Sequence, residues 1–324
     1  MTRVLVTGGS GFIGTNAIDA LIERGHDPVS FDIRPPPKRE HDSLFRYVDL
    51  LDQSQLIRET SGVRPEAVLH LAARTDLQGR SVTRAYAANI DGVSNLIEAI
   101  NATSTVRHAV FASSRLIHPI GYTPVHTFDY HPSTAYGESK VLGELIVRRY
   151  GPRDAGWTIV RPTSVWGPWM RDPNDQFFRM IARGLYVHPG SLNPPKQYSY
   201  VENGVAQMLR LTEAPRGQVH QKVYYLGDYL PLRLREWANE IQHQLDARPI
   251  RTVPASVLRL VARVGDTVSP VWSGVPLTSF RWSNMTAPVE FDLAGLREVL
   301  PSLPVPMETG VQRTIAWMRE SGLL

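Results

Sequence analysis

The segment that most limits the fold is Thr7-Gly8-Gly9-Ser10-Gly11-Phe12-Ile13-Gly14, which directly follows the short apolar run Val4-Leu5-Val6. Gly9, Gly11 and Gly14 satisfy G-x-G-x-x-G, and Gly8, Gly11 and Gly14 satisfy the wider G-x-x-G-x-x-G. Beyond the loop, apolar residues from Phe12 to Ile22 recur at helical spacing and stop near Gly25. Strand, glycine turn and helix in this order give the glycines a physical task. They allow a tight turn, close approach of the backbone to a pyrophosphate, and tight packing of helix on sheet. The pyrophosphate would rest on the helix amino terminus, where unpaired N–H groups and the helix dipole attract an anion. Gly8, Gly11, Phe12, Ile13 and Gly14 are therefore the candidate contacts to a dinucleotide.

The chain continues in the same style. Val29-Ser30-Phe31 is a second strand ending at Asp32, and Pro35-Pro36-Pro37 forces a loop behind it. Ala67 to Leu71, His108 to Ala112 and Trp157 to Val160 are further strands, each preceded by a stretch of helical character such as Asn89 to Ile100. Strands alternating with helices predict an α/β fold of Rossmann type with a doubly wound parallel sheet. The strands are nearly all apolar, as they must be when helices cover both sheet faces. After about Pro162 prolines become frequent and the alternation loses its regularity, but Val223-Tyr224-Tyr225-Leu226 again has the character of a core strand. The expected organisation is a dinucleotide-binding domain over residues 1–165, with residues 204–228 returning to its sheet. Residues 166–203 and 229–324 would form a smaller substrate-binding lobe. Val253 to Val268 is an amphipathic helix, read as packing on the protein in preference to a membrane interface.

Composition narrows the function classes. The 324 residues contain no cysteine, which removes disulfides, thiolate nucleophiles and cysteine-based metal sites together, and no metal site is expected. Redox chemistry needs a borrowed cofactor. With 42% hydrophobic and 20% charged residues the chain has a globular balance, and no apolar run is long enough to span a membrane. The start, Met1-Thr2-Arg3 followed at once by a strand, lacks the parts of a signal peptide, so a cytoplasmic location is expected. The net charge of +4 is mild and scattered, and its densest cluster, Lys38-Arg39 behind the prolines, reads as a solvated loop. Nucleic acid is not an expected partner. A phosphorylated or otherwise anionic small molecule suits the mild positive charge.

Asp32, at the end of the second strand, can accept hydrogen bonds from adenosine ribose hydroxyls and repel a 2′-phosphate, which favours NAD over NADP. Arg34, two residues on, suits a 2′-phosphate and keeps NADP as the second choice. Asp49 and Leu50 are candidate adenine contacts, set against the plainer role of a surface segment leading to a helix that begins at Asp52. Tyr136-Gly137-Glu138-Ser139-Lys140 puts a phenol and an ammonium four residues apart, on one helix face. A phenol is a poor base at neutral pH, and an adjacent ammonium would lower its pKa towards the working range. The pair lies downstream of the strand ending in Ser113-Ser114, so serine hydroxyls at the sheet edge can meet the tyrosine near the cofactor.

With these residues assembled, the chain resembles the extended short-chain dehydrogenase/reductases, in the NAD-dependent nucleotide-sugar epimerase and dehydratase group. The glycine loop matches that family's cofactor loop, His70-Leu71-Ala72-Ala73 its fourth-strand segment, and Tyr136 with Lys140 its catalytic pair. Arg161-Pro162, Trp166-Gly167-Pro168 and Gly310 to Trp317 extend the likeness to the end of the chain. The resemblance implies that Ser114, with Ser113 as the fallback, is the catalytic hydroxyl, that Tyr136 is the acid/base, and that Lys140 holds the nicotinamide ribose. It further implies that Leu71, Ala72, Ala73 and Asn89 contact or support the cofactor, that the substrate is a nucleotide-diphosphate sugar, and that the protein is a homodimer.

The departures concern the substrate. Where relatives place a small or acidic pair and then Tyr-Gly after the serine, this chain has Arg115-Leu116-Ile117-His118-Pro119, with His118 in place of the tyrosine. Without the Asp-Glu pair that a 4,6-dehydratase uses across C5 and C6, dehydration is not expected. Arg115 is a candidate for a substrate carboxylate or phosphate. Lys196 stands where the family binds a diphosphate through arginine, without arginine's bidentate fork. Arg281 is a candidate second cation, and Trp166, Trp169 and Tyr186 are read first as core and second as stacking platforms. The expected activity is epimerisation by oxidation of a sugar hydroxyl, at C4, and re-reduction on the other face. A net dehydrogenase or reductase uses the same residues and is the alternative. A non-catalytic NAD-binding protein is a third reading, whose mark would be loss of Tyr136 or Lys140; both are present.

Overall fold

In the computed structural model, which describes residues 1–77, 79, 81–268, 275 and 277–324, the glycine loop joins β1 (Arg3–Thr7) to α1 (Phe12–Glu23). The chain then runs through β2 (Asp27–Asp32), β3 (Phe45–Tyr47), α2 (Gln53–Val63), β4 (Ala67–His70), α3 (Val82–Ala85), α4 (Ala87–Asn101) and β5 (His108–Ala112). α5 (Ala135–Tyr150) and β6 (Gly156–Pro162) follow. Each strand is parallel to its neighbour, in the order β3-β2-β1-β4-β5-β6, and β11 (Lys222–Leu226) adds a seventh strand beyond β6. The order reverses between β1 and β4, so the carboxyl ends of these strands flank the crevice where open α/β sheets bind ligands. The predicted fold is the one observed.

The chain leaves the sheet after β6 through β7 (Ser164–Trp166), α6 (Gln176–Ala182), β8 (Val187–Pro189), β9 (Pro195–Lys196) and β10 (Tyr198–Tyr200). α7 (Val201–Glu213) and α8 (Arg216–Val219) lead back to β11. The remainder comprises β12 (Leu232–Arg233), α9 (Leu234–Leu245), β13 (Arg251–Val253) and α10 (Ala255–Val268), then α11 (Ser279–Thr286), α12 (Ala294–Val299) and α13 (Met307–Glu320). Short pairings tie this part together: β10 with β7, β12 with β9, and β13 with β8.

Two apolar clusters sandwich the sheet. One side, with Leu5, Val68, Ala109 and Ile159, packs on α2 and α4. The other, with Val4, Val6, Leu69, Val110 and Val160, packs on α1 and α7 and continues into Trp166, Phe178, Tyr186, Tyr200 and Trp237. Trp166 and Tyr186 therefore lie in the core, as their first reading had it, and Trp169 packs on Trp317 at 5.9 Å. Burial of whole aromatic side chains supplies much of the stability of this region.

The helix read over Val253 to Val268 packs on the protein through one side. The helix forms as α10, and Leu258 and Ala262 bury against Trp282 of α11. Val257, Leu260, Val261 and Val264 face away, and Leu260 is 62% exposed. Among the described residues, packing covers the Leu258 and Ala262 side of the apolar arc and leaves these four residues exposed. Among the described residues no helix is long and apolar enough to cross a membrane.

Candidate active site

The glycine loop is fixed from both sides. Gly8 has φ +74° and lies so close to β4's exit that a Cβ would sit 2.6 Å from the Ala72 nitrogen, so only glycine fits. Behind it, Thr7 Oγ1 and His70 Nδ1 are 2.7 Å apart, and burial holds the His70 imidazole neutral, with its pKa down at about 3 and the Lys140 ammonium adding to the effect. Gly11 precedes α1 and has no side chain to cap it; its N–H donates to Gly8 O at 3.0 Å, and the first-turn N–H groups of half-buried Phe12 and Ile13 are left for a ligand. That is a place for a pyrophosphate. Asp32 Oδ2 accepts from Ser10 N at 3.1 Å and Oδ1 from Arg34 N at 3.1 Å. A carboxylate has about four acceptor positions, so it can still receive a ribose hydroxyl. These features suit a dinucleotide.

Other sequence candidates serve the site at one remove. Leu71, Ala72 and Ala73 are half-buried at the exit of β4, beside the glycine loop. The Asn89 amide is fully engaged, donating to Arg74 O at 3.0 Å and Ser139 Oγ at 2.9 Å while its oxygen accepts from Arg74 N at 2.8 Å. It joins the β4 exit to α5 rather than offering a free group. Asp49 Oδ1 accepts from Leu51 N, Leu50 is buried among α2 and α4 residues, and Asp52 caps α2 by accepting from Gln55 N at 2.9 Å. The helix start at Asp52 is thus present, and the Leu50 side chain belongs to the core.

α5 carries the reactive pair. Thr134 Oγ1 caps it by accepting from Gly137 N at 3.0 Å. Gly137 lies against the turn after β5, where a Cβ would meet Leu116 O at 2.2 Å. This approach sets Tyr136 beside Ser114, whose Oγ accepts from Leu116 N at 3.1 Å and lies close enough to the phenol to ease its ionisation. The neighbouring Ser113 hydroxyl is buried without a partner. Lys140 is buried one turn along, and its Nζ donates to Ala112 O at 2.8 Å. Burial lowers its pKa to about 8, against the pull of Glu144.

The expected lowering of the Tyr136 pKa by Lys140 is not what this arrangement gives. Burial pushes the phenol up to about 12, and the nearby Ser114 hydroxyl only partly offsets it. Desolvation of a buried phenolate dominates here, and the Lys140 ammonium, turned to Ala112 O, does not lower the phenol's pKa. Tyr86, fully buried with its ring 6.2 Å from that of Tyr136 and its hydroxyl on Asp76 O at 2.7 Å, completes the wall. Sequence reading missed Tyr86 because no motif surrounds it.

The three substrate candidates differ in surroundings. Lys196, expected to meet a diphosphate, is fully buried and donates to Asn284 O at 2.6 Å and to Ala287 O. This is a correction: its ammonium is committed to carbonyls of α11, which it holds in place. Arg281 donates through Nη1 to Val275 O at 2.8 Å and braces the start of the same helix. Arg115 is buried beside Ser114 and donates through Nη2 to Asn284 Oδ1 at 3.2 Å. Among the described residues there is no group of three or more metal-ligating side chains.

Comparison with known proteins agrees with this geometry. Residues 4–227 match the NAD dependent epimerase/dehydratase family. A 3-beta-hydroxysteroid dehydrogenase of Mycolicibacterium neoaurum is 29% identical over 255 residues, covering 74% of this chain and 69% of that protein. The N-acetyl-alpha-D-glucosaminyl-diphospho-ditrans,octacis-undecaprenol 4-epimerase of Escherichia coli O157:H7 is 24% identical over 325 residues, covering 97% of this chain and 95% of that protein. Among solved structures, UDP-glucose 4-epimerase of Thermotoga maritima shares the fold with a TM-score of 0.73 at 23% identity, over 98% of this chain and 99% of that one. The cofactor is NAD, and the chain is an enzyme that belongs to the NAD-dependent epimerase/dehydratase family of extended short-chain dehydrogenases.

Proposed function

We propose that the protein epimerises a nucleotide-diphosphate sugar at C4, with Ser114, Tyr136 and Lys140 as the working residues. The observation that carries this reading is the placing of the Tyr136 phenol beside Ser114 at the carboxyl edge of β5, with the Lys140 ammonium one turn along α5 on Ala112 O. NAD, when bound, supplies the acceptor and later the donor of a hydride. The protein does the rest. Gly8, Gly11, Phe12, Ile13 and Gly14 receive the pyrophosphate and Asp32 the adenosine ribose, while Lys140 holds the second ribose. Ser114 Oγ orients the substrate hydroxyl, and Tyr136, acting as the phenolate that burial disfavours, takes its proton as the carbinol becomes a ketone and returns it when the ketone, turned over, is reduced on its other face. The buried setting of Tyr136 keeps water from the reacting carbon.

The end-to-end match to the undecaprenol-linked sugar 4-epimerase supports this choice. The lack of an Asp-Glu pair after Ser114 argues against dehydration. A net dehydrogenase is the second reading, favoured by the identity to the hydroxysteroid dehydrogenase and by the engagement of Lys196 with backbone carbonyls.

The test is incubation with UDP-glucose and UDP-glucuronate in deuterated water, followed by NMR and by absorbance at the reduced-nicotinamide band. The C4 epimer, without solvent deuterium at C4 and without net cofactor reduction, is the expected product. A steady rise of reduced nicotinamide with one product at the ketone level would replace the epimerase with the dehydrogenase.

A further inference from the structure

Arg115 follows Ser114 directly, in a short turn (Arg115–Ile117) that Ser114 itself caps. The side chain is only 7% exposed. A guanidinium has five N–H donors in a rigid fork. Among the described residues its one hydrogen bond is to the neutral amide of Asn284. The groups beside it are the Tyr198 phenol and the Lys196 ammonium, a second buried cation, and among the described residues neither Arg115 nor Lys196 forms an ion pair. Burial lowers both below their ordinary values, and for Lys196 the nearby Arg115 charge lowers it further. Two like charges sharing a buried site destabilise it unless an anion joins them. The residues that meet here come from the β5 exit, β9, β10 and α11, so the site joins the sheet edge to the rest of the cleft.

We propose that Arg115 is a specificity residue for an anionic substrate group, binding a carboxylate or phosphate that the substrate carries close to the carbon being oxidised. Adjacent Cα atoms are about 3.8 Å apart, so an anion on this fork lies within one side chain of the hydroxyl that Ser114 orients. On a nucleotide sugar that position corresponds to a substituent of the reacting ring rather than to the diphosphate arm. Lys196 acts from behind: by anchoring α11 it holds the Asn284 amide against Arg115 and adds positive potential without touching the anion. The inference rests on the reading of Ser114 and Tyr136 as the reacting centre.

Calorimetric titration of the NAD-saturated enzyme with UDP-glucose and UDP-glucuronate tests it, because the two differ only in a hydroxymethyl against a carboxylate. Wild type should bind the uronate at least about tenfold tighter, the scale of a charge-assisted hydrogen-bonded pair. R115Q should collapse that ratio to near one, and R115K should restore only part of it, since lysine lacks the fork. Inorganic phosphate, titrated by thermal shift with NAD present, covers the other source of the anion. Protection by phosphate that R115Q abolishes, without a preference for the uronate, would assign a phosphorylated substrate and uphold the role of Arg115. If neither nucleotide sugar binds but phosphate protects through Arg115, the nucleotide-sugar reading falls and the anion site stands. Equal affinity for the two sugars, with neither it nor phosphate protection altered by R115Q, overturns the role of Arg115 and leaves the epimerase reading intact. The absence of binding by all three probes overturns the anion site as well.

Discussion

Two buried arginines flank the catalytic region and have opposite surroundings. Arg161, on β6, uses four of its five donors: Nε and Nη2 meet Glu144 of α5 at 2.9 and 2.8 Å, Nη2 also meets Thr127 O at 2.8 Å, and Nη1 meets Tyr225 Oη at 3.2 Å. Glu144 accepts from Tyr130 Oη at 2.8 Å, and His118 shares Tyr225 Oη at 2.8 Å. Although burial opposes its charge, the hydrogen bonds and charge of Glu144 raise the Arg161 pKa. Arg115 has an amide and another cation instead. A closed network holds α5 on the sheet, whereas an open fork leaves capacity for a ligand. The first arrangement stabilises the fold, and the second is the one for which a binding role is proposed.

The comparison can be broken at several strengths. Tyr136→Phe should lower turnover of any identified substrate by about 10²–10⁴-fold, because the proton acceptor is gone. Its unfolding free energy should change by no more than about 1.5 kcal/mol, the worth of one hydrogen bond. Single-turnover rates and urea unfolding measure the two separately, and a large stability loss would place Tyr136 in the structural network instead.

In the closed region the balance is reversed. Glu144→Ala strands the Arg161 charge and should cost about 3–5 kcal/mol in urea unfolding. The double variant Glu144→Leu with Arg161→Met should recover most of that loss. A cost below about 1 kcal/mol for Glu144→Ala would erase the distinction between the two arginines.

The next effect is set by pH. Burial holds His70 near a pKa of about 3 and His108 and His118 near about 4. In the unfolded chain each returns to about 6.5. Between those values the unfolded state binds the extra protons, so the stability these histidines give is present above pH 6.5 and is lost as the pH falls towards 4. Each contributes a slope of up to about 1.4 kcal/mol per pH unit. Asp228 works the other way, since burial pushes it up to about 7 against hydrogen bonds from Asn203 and Tyr200, so it gains stability as the pH falls. Three histidines against one aspartate leave a net loss on acidification, visible in urea midpoints from pH 7 to 5. His118→Gln should flatten that slope by one histidine's share, and an unchanged slope would show that His118 is already charged in the network.

The smallest expected effect has the opposite sign. Arg115→Gln removes a buried charge that has no ion pair among the described residues, so its unfolding free energy should stay level or rise by up to about 1 kcal/mol. A loss above about 2 kcal/mol would mean that Arg115 is a structural partner like Arg161.

The contrast between regions also marks what could be read from the chain. β1, α1, β2 and β5 follow from local pattern, because apolar runs, helical spacing and glycine turns are short-range signals. β5 runs from His108 to Ala112, as read, and α1 runs one residue past the expected Ile22. Tyr136 and Lys140 are legible for the same reason, since one helical turn fixes their relation. Lys196 was not, because its partners Asn284 and Ala287 are 88 and 91 residues away in sequence. The outward apolar stripe of α10 was likewise hidden, since periodicity shows that a helix has an apolar face but not what will cover it.

By itself the sequence determined a parallel Rossmann-type sheet, a glycine loop on a helix amino terminus and a phenol–ammonium pair on one helix face. Each depends on backbone geometry within a few residues. The tertiary structure decided the rest: Tyr136 lies beside Ser114, burial raises that phenol's pKa, Lys196 donates to the carbonyls of Asn284 and Ala287, and Arg115 has no ion pair among the described residues. Desolvation and charge pairing depend on which distant segments close around a group, and only the folded chain brings those segments together.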